Sequence, residues 1–252
     1  MRKPFIAGNW KMNKTNGEAR ETILELKKLV TGRAEAVEIL IAPPFTALQL
    51  AAGLINGSGI KLGAQNLYYE DSGAFTGEVS APMLASCGCD YVIVGHSERR
   101  QYFGCTDEIV NRKLKAAVRG GVKPIVCIGE TLQEREGKRT FDVLGSQLSV
   151  GLRGLSGEEQ GSLTVAYEPV WAIGTGMTAT PDQAQEAHSF IRKKIEELYG
   201  EKVSGSVRIL YGGSVKPDNI TDIMRQKDVD GALVGGASLK PSTFADIVNY
   251  RD

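Results

Sequence analysis

Eight short apolar runs alternate with amphipathic helical patterns along the 252 residues of this chain, and no other feature restricts the fold as much. The runs cover residues 5–10, 37–42, 60–64, 91–95, 124–128, 163–167, 207–211 and 231–234. Val, Ile and Leu fill most of them without clean alternation, which is how strands buried on both faces read. Between them, residues 20–30 set Ile23, Leu26 and Val30 on one helical face, and residues 108–118 do the same with Ile109, Leu114 and Val118. Residues 182–199 open after Pro181, suited to a first turn, and stop before Gly200, suited to a C-cap. Strict strand–helix alternation predicts a parallel sheet. Eight units in this length predict an α/β fold, a closed (β/α)8 barrel forming a single domain over 1–252, since such barrels run to about 250 residues. An open doubly wound sheet is the alternative. No linker or low-complexity stretch divides the chain. The one long irregular stretch is 66–79, and loops of that length inside compact domains are usually functional.

Thirty Lys and Arg residues balance thirty Asp and Glu. That balance gives no reason to expect nucleic acid or an anionic membrane as a partner, so any anion site has to be local. No apolar run approaches the about 20 residues of a membrane span, and the apolar start at Pro4-Phe5-Ile6-Ala7 is too brief for a signal peptide. A cytoplasmic enzyme is the expectation. Cys87 and Cys89 form a C-x-C rather than the C-x-x-C of redox and zinc sites, and read as one buried thiol and one turn thiol. No His, Cys and carboxylate cluster has ligand spacing, so no metal is expected. No cofactor is expected either. Gly174-Thr175-Gly176-Met177-Thr178-Ala179 mimics a dinucleotide fingerprint, but Glu196, about 20 residues on, lies in a helix rather than at the end of a second strand.

In a parallel barrel, reactive groups collect at the C-terminal ends of the strands. The first strand ends in Asn9-Trp10-Lys11, the fourth in Gly95-His96-Ser97-Glu98, and the sixth in Glu168-Pro169-Val170-Trp171 followed by a glycine-bearing loop. The seventh ends in Gly212-Gly213-Ser214 and the eighth in Gly235-Gly236. One amide, one ammonium, one imidazole, one carboxylate and two glycine turns therefore converge on one face. Glu168 suits a general base under a movable loop, or a surface carboxylate before an ordinary turn. His96 precedes a helix start, whose partial positive charge disfavours imidazolium; a neutral ring can polarise a carbonyl, and a purely structural ring is the alternative. Lys11 suits an anion site at the barrel mouth, a solvated strand-end charge, or an imine-forming amine if desolvated. The glycine turns suit phosphate, with amides at helix N-termini, or plain tight turns. His188 lies mid-helix and reads as structural.

Six motifs in order resemble the triosephosphate isomerase family: Ala7-Gly8-Asn9-Trp10-Lys11-Met12-Asn13, Gly73-Ala74-Phe75-Thr76-Gly77-Glu78, Val94-Gly95-His96-Ser97-Glu98-Arg99-Arg100, Tyr167-Glu168-Pro169-Val170-Trp171-Ala172-Ile173-Gly174-Thr175-Gly176, Tyr211-Gly212-Gly213-Ser214-Val215 and Leu233-Val234-Gly235-Gly236-Ala237-Ser238. They run from the first strand to the last, so the resemblance covers the whole chain. It implies a triose phosphate substrate, with Glu168 moving a proton between adjacent carbons and His96 as neutral electrophile, a base–imidazole pairing and a closing lid for which this family is a standard example. Asn9 and Lys11 would hold the substrate, and Gly174, Ser214, Gly235 and Gly236 its phosphate. Ile173 on the lid and Leu233 would clamp Glu168 and raise its basicity by desolvation, with Glu98 as an accessory carboxylate. The resemblance also implies a homodimer in which loop 66–79 enters the partner and sets Thr76 near the partner's Asn9 and Lys11. Two positions depart from the family: Cys105 stands where an acid is usual, and Met177 where a lysine is common. A phosphate-binding barrel of another kind, such as an aldolase using Lys11, and a non-catalytic binding protein are the other classes; the latter would have lost Glu168 or His96.

Overall fold

All eight apolar runs form parallel strands, and the strands close on themselves. The computed structural model describes residues 2–173 and 177–250, apart from the side chain of Glu158. In chain order the strands are β1 (Phe5–Asn9), β2 (Glu38–Ala42), β3 (Lys61–Ala64), β4 (Tyr91–Val94), β5 (Lys123–Ile128), β6 (Thr164–Tyr167), β7 (Arg208–Tyr211) and β8 (Gly231–Val234). Each pairs with its sequence neighbours, and β8 returns to β1 with Phe5 opposite Gly231 and Gly8 opposite Val234. The open-sheet alternative is thereby excluded.

The poor alternation of the strands has a direct cause. Phe5, Ala7, Leu40, Ala42, Tyr91, Ile93, Ile125, Cys127, Ala166, Leu210 and Leu233 fill the barrel interior. Their strand neighbours, among them Ile6, Ile39, Ile41, Val92, Val94, Val165 and Ile209, pack outward against the helices. Both sets are apolar, so a period of two carries no contrast. β3 adds no large side chain inside. A Cβ on Gly63 would stand 2.9 Å from a methyl of Leu40, so the glycine makes room for that leucine.

Helix limits follow their caps. Asn16–Leu29 starts four residues before the apolar pattern does, because Thr15 and Glu18 form a capping box. Pro181–Tyr199 begins on Pro181 itself, capped by Thr180 with Gln183 and stopped at Gly200. The face expected for residues 108–118 is rotated. In Asp107–Arg119 the buried residues are Val110, Lys113, Leu114, Ala116 and Ala117, with Ile109 and Val118 only half-buried at the margins. Small alanines allow the closest approach to the barrel, which an apolar count undervalues. Residues 66–79 contain neither helix nor strand. The Tyr68 amide donates to the Val79 carbonyl at 2.8 Å and closes the loop at its base. Tyr68 stacks on Tyr69 and Phe75, and the Arg112 guanidinium lies 3.5 Å over the Tyr69 ring. Cys89 is buried and Cys87 half-buried at a helix end, and all four cysteines are free.

Candidate active site

At the top of β1, the Asn9 side-chain carbonyl accepts from the Lys11 amide at 3.0 Å. Lys11 stands in the left-handed region at φ 52°, a conformation that costs an L residue of order 1–3 kcal/mol. The Gln65 carboxamide fixes its other side, donating to the Lys11 carbonyl at 2.8 Å and to Ala42 at 2.9 Å. Gln65 was not expected from the sequence; a lone polar residue after a strand carries no pattern. The Lys11 ammonium meets Glu98 Oε1 at 2.5 Å.

Gly95 follows β4 at φ 72°, where a Cβ would also lie 2.6 Å from Val110. The chain then turns into the helix Ser97–Phe103, with His96 as its N-cap. The Glu98 amide donates to His96 Nδ1 at 3.2 Å, which leaves the ring proton on Nε2. Nε2 lies 2.9 Å from Glu168 Oε1, and the other carboxylate oxygen accepts from the Ser97 amide at 2.8 Å. Glu168 follows β6 and is 2% exposed. Two glycines clear its place: a Cβ on Gly212 would sit 2.9 Å from Glu168 Cγ, and one on Gly129 only 1.7 Å from the Glu168 carbonyl oxygen. Beneath it, buried Glu130 accepts from Tyr167 at 3.1 Å and Trp171 at 2.9 Å and pairs with Arg135 at 3.1 Å. This anchor beneath residues 170–173 has no counterpart in the sequence reading, since one Glu among thirty acidic residues is silent until its neighbours are known.

The buried pair adjusts itself. Burial raises the Glu168 carboxyl, but His96 and the Ser97 amide outweigh it and hold the group below its ordinary value. The expected increase in basicity from the Ile173–Leu233 clamp is therefore not the net effect here: burial is the largest single influence, and His96, the Ser97 amide and Lys11 together outweigh it. Burial, the largest single influence, works against charge on His96, yet the Glu168 and Glu98 carboxylates together outweigh it and draw its pKa up. The expectation of a neutral ring considered the helix terminus and not this contact.

A cavity of about 390 Å³ gathers these groups. Asn9, Lys11, His96 and Glu168 line it from one side, and Ile173, Ser214, Leu233, Gly235 and Gly236 complete it, with Val215, Lys216 and Ala237 as unexpected neighbours. Glu98 reaches the site through Lys11. Thr76 is exposed in loop 66–79 and does not line the cavity. Gly174 lies outside the described residues. One expected detail fails. Gly212-Gly213-Ser214 does not open a helix, because the next one is Ile220–Met224. Asn219 instead ties the intervening turn, accepting from the Lys216 amide at 2.8 Å and donating to the Ser214 carbonyl at 3.1 Å. Gly213 serves packing, since a Cβ there would strike the Tyr211 hydroxyl at 2.3 Å. Gly235 does lead into a short 3-10 helix, Gly236–Leu239. Among the described residues, no group of His, Cys, Asp and Glu side chains is arranged to hold a metal ion.

The family model described as triosephosphate isomerase matches residues 4–251. The chain belongs to the triosephosphate isomerase family. A triosephosphate isomerase of Citrifermentans bemidjiense is 58% identical over 252 residues, covering 100% of both chains. One of Moorella thermoacetica is 58% identical over 250 residues, 99% of each. The crystal structure of triosephosphate isomerase from Bartonella henselae superposes with a TM-score of 0.88 at 41% identity, covering 97% of each chain. Within the family, the Cys105 departure has a local consequence. Lys113, 5% exposed, has the Asn66 side-chain oxygen at 2.7 Å, and burial draws its pKa down. Met177 is exposed.

Proposed function

We propose that the chain interconverts dihydroxyacetone phosphate and D-glyceraldehyde 3-phosphate by proton transfer through an enediolate. The observation that carries this reading is the buried carboxylate of Glu168, held 2.9 Å from His96 Nε2 in a cavity that also contains Lys11. Glu168 takes a proton from one carbon of the substrate and returns one to its neighbour, so one C–H bond breaks and another forms, while the proton of the neighbouring hydroxyl passes to the former carbonyl oxygen. One carboxylate can reach both carbons, so one base suffices. To do so it must leave the Ser97 amide and the imidazole, which frees Nε2–H to donate to the developing oxyanion. A donor in that position is worth about 2.7–4 kcal/mol. As the carboxylate leaves, His96 loses the larger of the two charges that draw its pKa up while keeping the Glu98 amide on Nδ1, and it acts as a neutral ring.

Asn9 and Lys11 hold the substrate, and Lys11 exchanges Glu98 for it. Gly174, Ser214, Gly235 and Gly236 hold the phosphate. Ile173 and the loop beyond it exclude water while the intermediate could still expel phosphate. Imine chemistry at Lys11 has less support: the side chain is 28% exposed and paired with Glu98, not the desolvated amine such chemistry needs. The working unit is a cytoplasmic homodimer formed through loop 66–79, with Thr76 set near the partner's site. An assay of glyceraldehyde 3-phosphate conversion, coupled to reduction of the ketose product, tests the reading. Turnover without a borohydride-trapped lysine adduct is expected, and absence of turnover by the folded protein overturns it.

A further inference from the structure

β5 outruns its neighbour β4. Their register ends at Val94 opposite Val126, yet β5 continues to Ile128, and the chain after it, Gly129 and Glu130, runs on alongside the segment that carries Glu168. The Glu168 amide donates to the Ile128 carbonyl at 2.7 Å, and the Val170 amide to the Glu130 carbonyl at 3.1 Å. Residues 128 and 130 therefore form a rail for residues 168–170. In a parallel ladder the intervening residue turns its own N–H and C=O to the opposite side, where β4 no longer offers a partner for Gly129.

One side chain fills that gap. Gln147, half-buried on the helix Thr140–Gly151, accepts from the Gly129 amide at 2.8 Å and donates to the Gly129 carbonyl at 3.2 Å. Its carboxamide reproduces the two bonds of a strand neighbour. Nothing at position 129 could take up slack toward the base: a Cβ there would stand 1.7 Å from the Glu168 carbonyl, so the two backbones are already in contact. A shift of Gly129 is passed directly to the main chain of Glu168.

We infer that Gln147 is a positioning residue for Glu168, setting the alignment of the carboxylate from the outer layer of the barrel without touching the substrate. This rests on Glu168 being the base. Misplacing a reacting group by about 1 Å can cost about 100-fold, and a fraction of that displacement is what a released Gly129 permits.

The test compares wild type, Gln147→Leu, Gln147→Glu and Glu168→Gln, reading kcat, KM, thermal midpoint and the primary isotope effect with substrate deuterated at the transferred position. Gln147→Leu is expected to lower kcat about tenfold with KM within about twofold, and to raise the isotope effect as proton transfer becomes limiting. Gln147→Glu keeps the acceptor for the Gly129 amide and is expected to fall between Leu and wild type; it carries the test if the Leu variant does not fold. A lower thermal midpoint with unchanged kcat and isotope effect would overturn the inference, as would failure of both variants to fold, which would make Gln147 a residue of the fold alone. An active Glu168→Gln would instead overturn the base assignment itself.

Discussion

Glu168 is bound by two donors, the His96 ring and the Ser97 amide, that the proposed base would have to give up, and both follow β4 rather than its own strand. Glu168→Asp withdraws the carboxylate by about 1 Å, and kcat is expected to fall about 100-fold in a protein with an unchanged thermal midpoint. Near wild-type kcat would remove Glu168 from the mechanism. The same contact governs His96. Burial opposes the imidazolium and the Glu168 and Glu98 charges together outweigh it, so Glu168→Gln, which keeps the volume and deletes the Glu168 charge, is expected to lower the His96 pKa. NMR titration of the ring in both proteins decides this; coincident curves would show that the carboxylate charge is not the cause. At this scale the sequence was informative where a strand end isolates a residue, as at Asn9, His96 and Glu168. It was silent on the Glu168–His96 contact. Two strands apart in the barrel and 72 positions apart in sequence, the residues carry no mutual pattern, so the direction of both pKa shifts was unreadable.

Among the elements, the turn after β8 is the most demanding. A Cβ on Gly235 would meet Lys11 Cε at 3.4 Å, an ordinary van der Waals contact, so the branch methyls of a valine there would crowd the Lys11 side chain. Gly235→Val is expected to weaken binding of a phosphate-bearing inhibitor about tenfold or more, the worth of one charge-assisted hydrogen bond. Equal affinity by calorimetry would put the phosphate elsewhere. The helix Pro181–Tyr199 carries a different liability. Burial, only partly offset by the Asp228 carbonyl, lowers the His188 pKa from 6.5 to about 4. The folded chain thus holds this ring neutral where the unfolded chain protonates it. The unfolded state binds more protons below pH 6.5, so stability is complete above that value and is lost as pH falls towards about 4, by on the order of 3 kcal/mol at about 1.36 kcal/mol per pH unit. The thermal midpoint of wild type is expected to fall more steeply over this window than that of His188→Gln; parallel slopes would refute it. Element types were legible because periodicity survives translation along the chain, and strand limits agreed to within a residue. The face of Asp107–Arg119 was not, since Ala116 and Ala117 bury by being small rather than by being greasy. Nor was the turn after β7, where Asn219 folds back before any helix begins.

For the whole molecule, loop 66–79 is the part that the barrel does not require. It is tied at its root by the Tyr68–Val79 hydrogen bond and braced by Arg119 on Asp71 and Arg112 on Glu70, so it projects as a formed body. Phe75 stays 40% exposed and Met83 52%, and both line a shallow cleft with Tyr68. Soluble monomers rarely keep such a patch, and a two-fold axis would cover the same surface on both subunits. The bond at the loop's root also says where to cut: joining Tyr68 to Val79 through a short glycine linker removes the aromatic tip and leaves the barrel ladder untouched. The shortened chain is expected to sediment as a soluble monomer with wild-type helical content and strongly reduced kcat. The reason lies at Lys11, whose left-handed backbone is fixed by Gln65, immediately before the loop; without a covering subunit that anchor is open to water and the ammonium is less well placed. Sedimentation velocity with the coupled assay on the same samples decides it. A wild type that runs as a monomer at micromolar concentration, or a shortened monomer with full activity, would show that each barrel works alone.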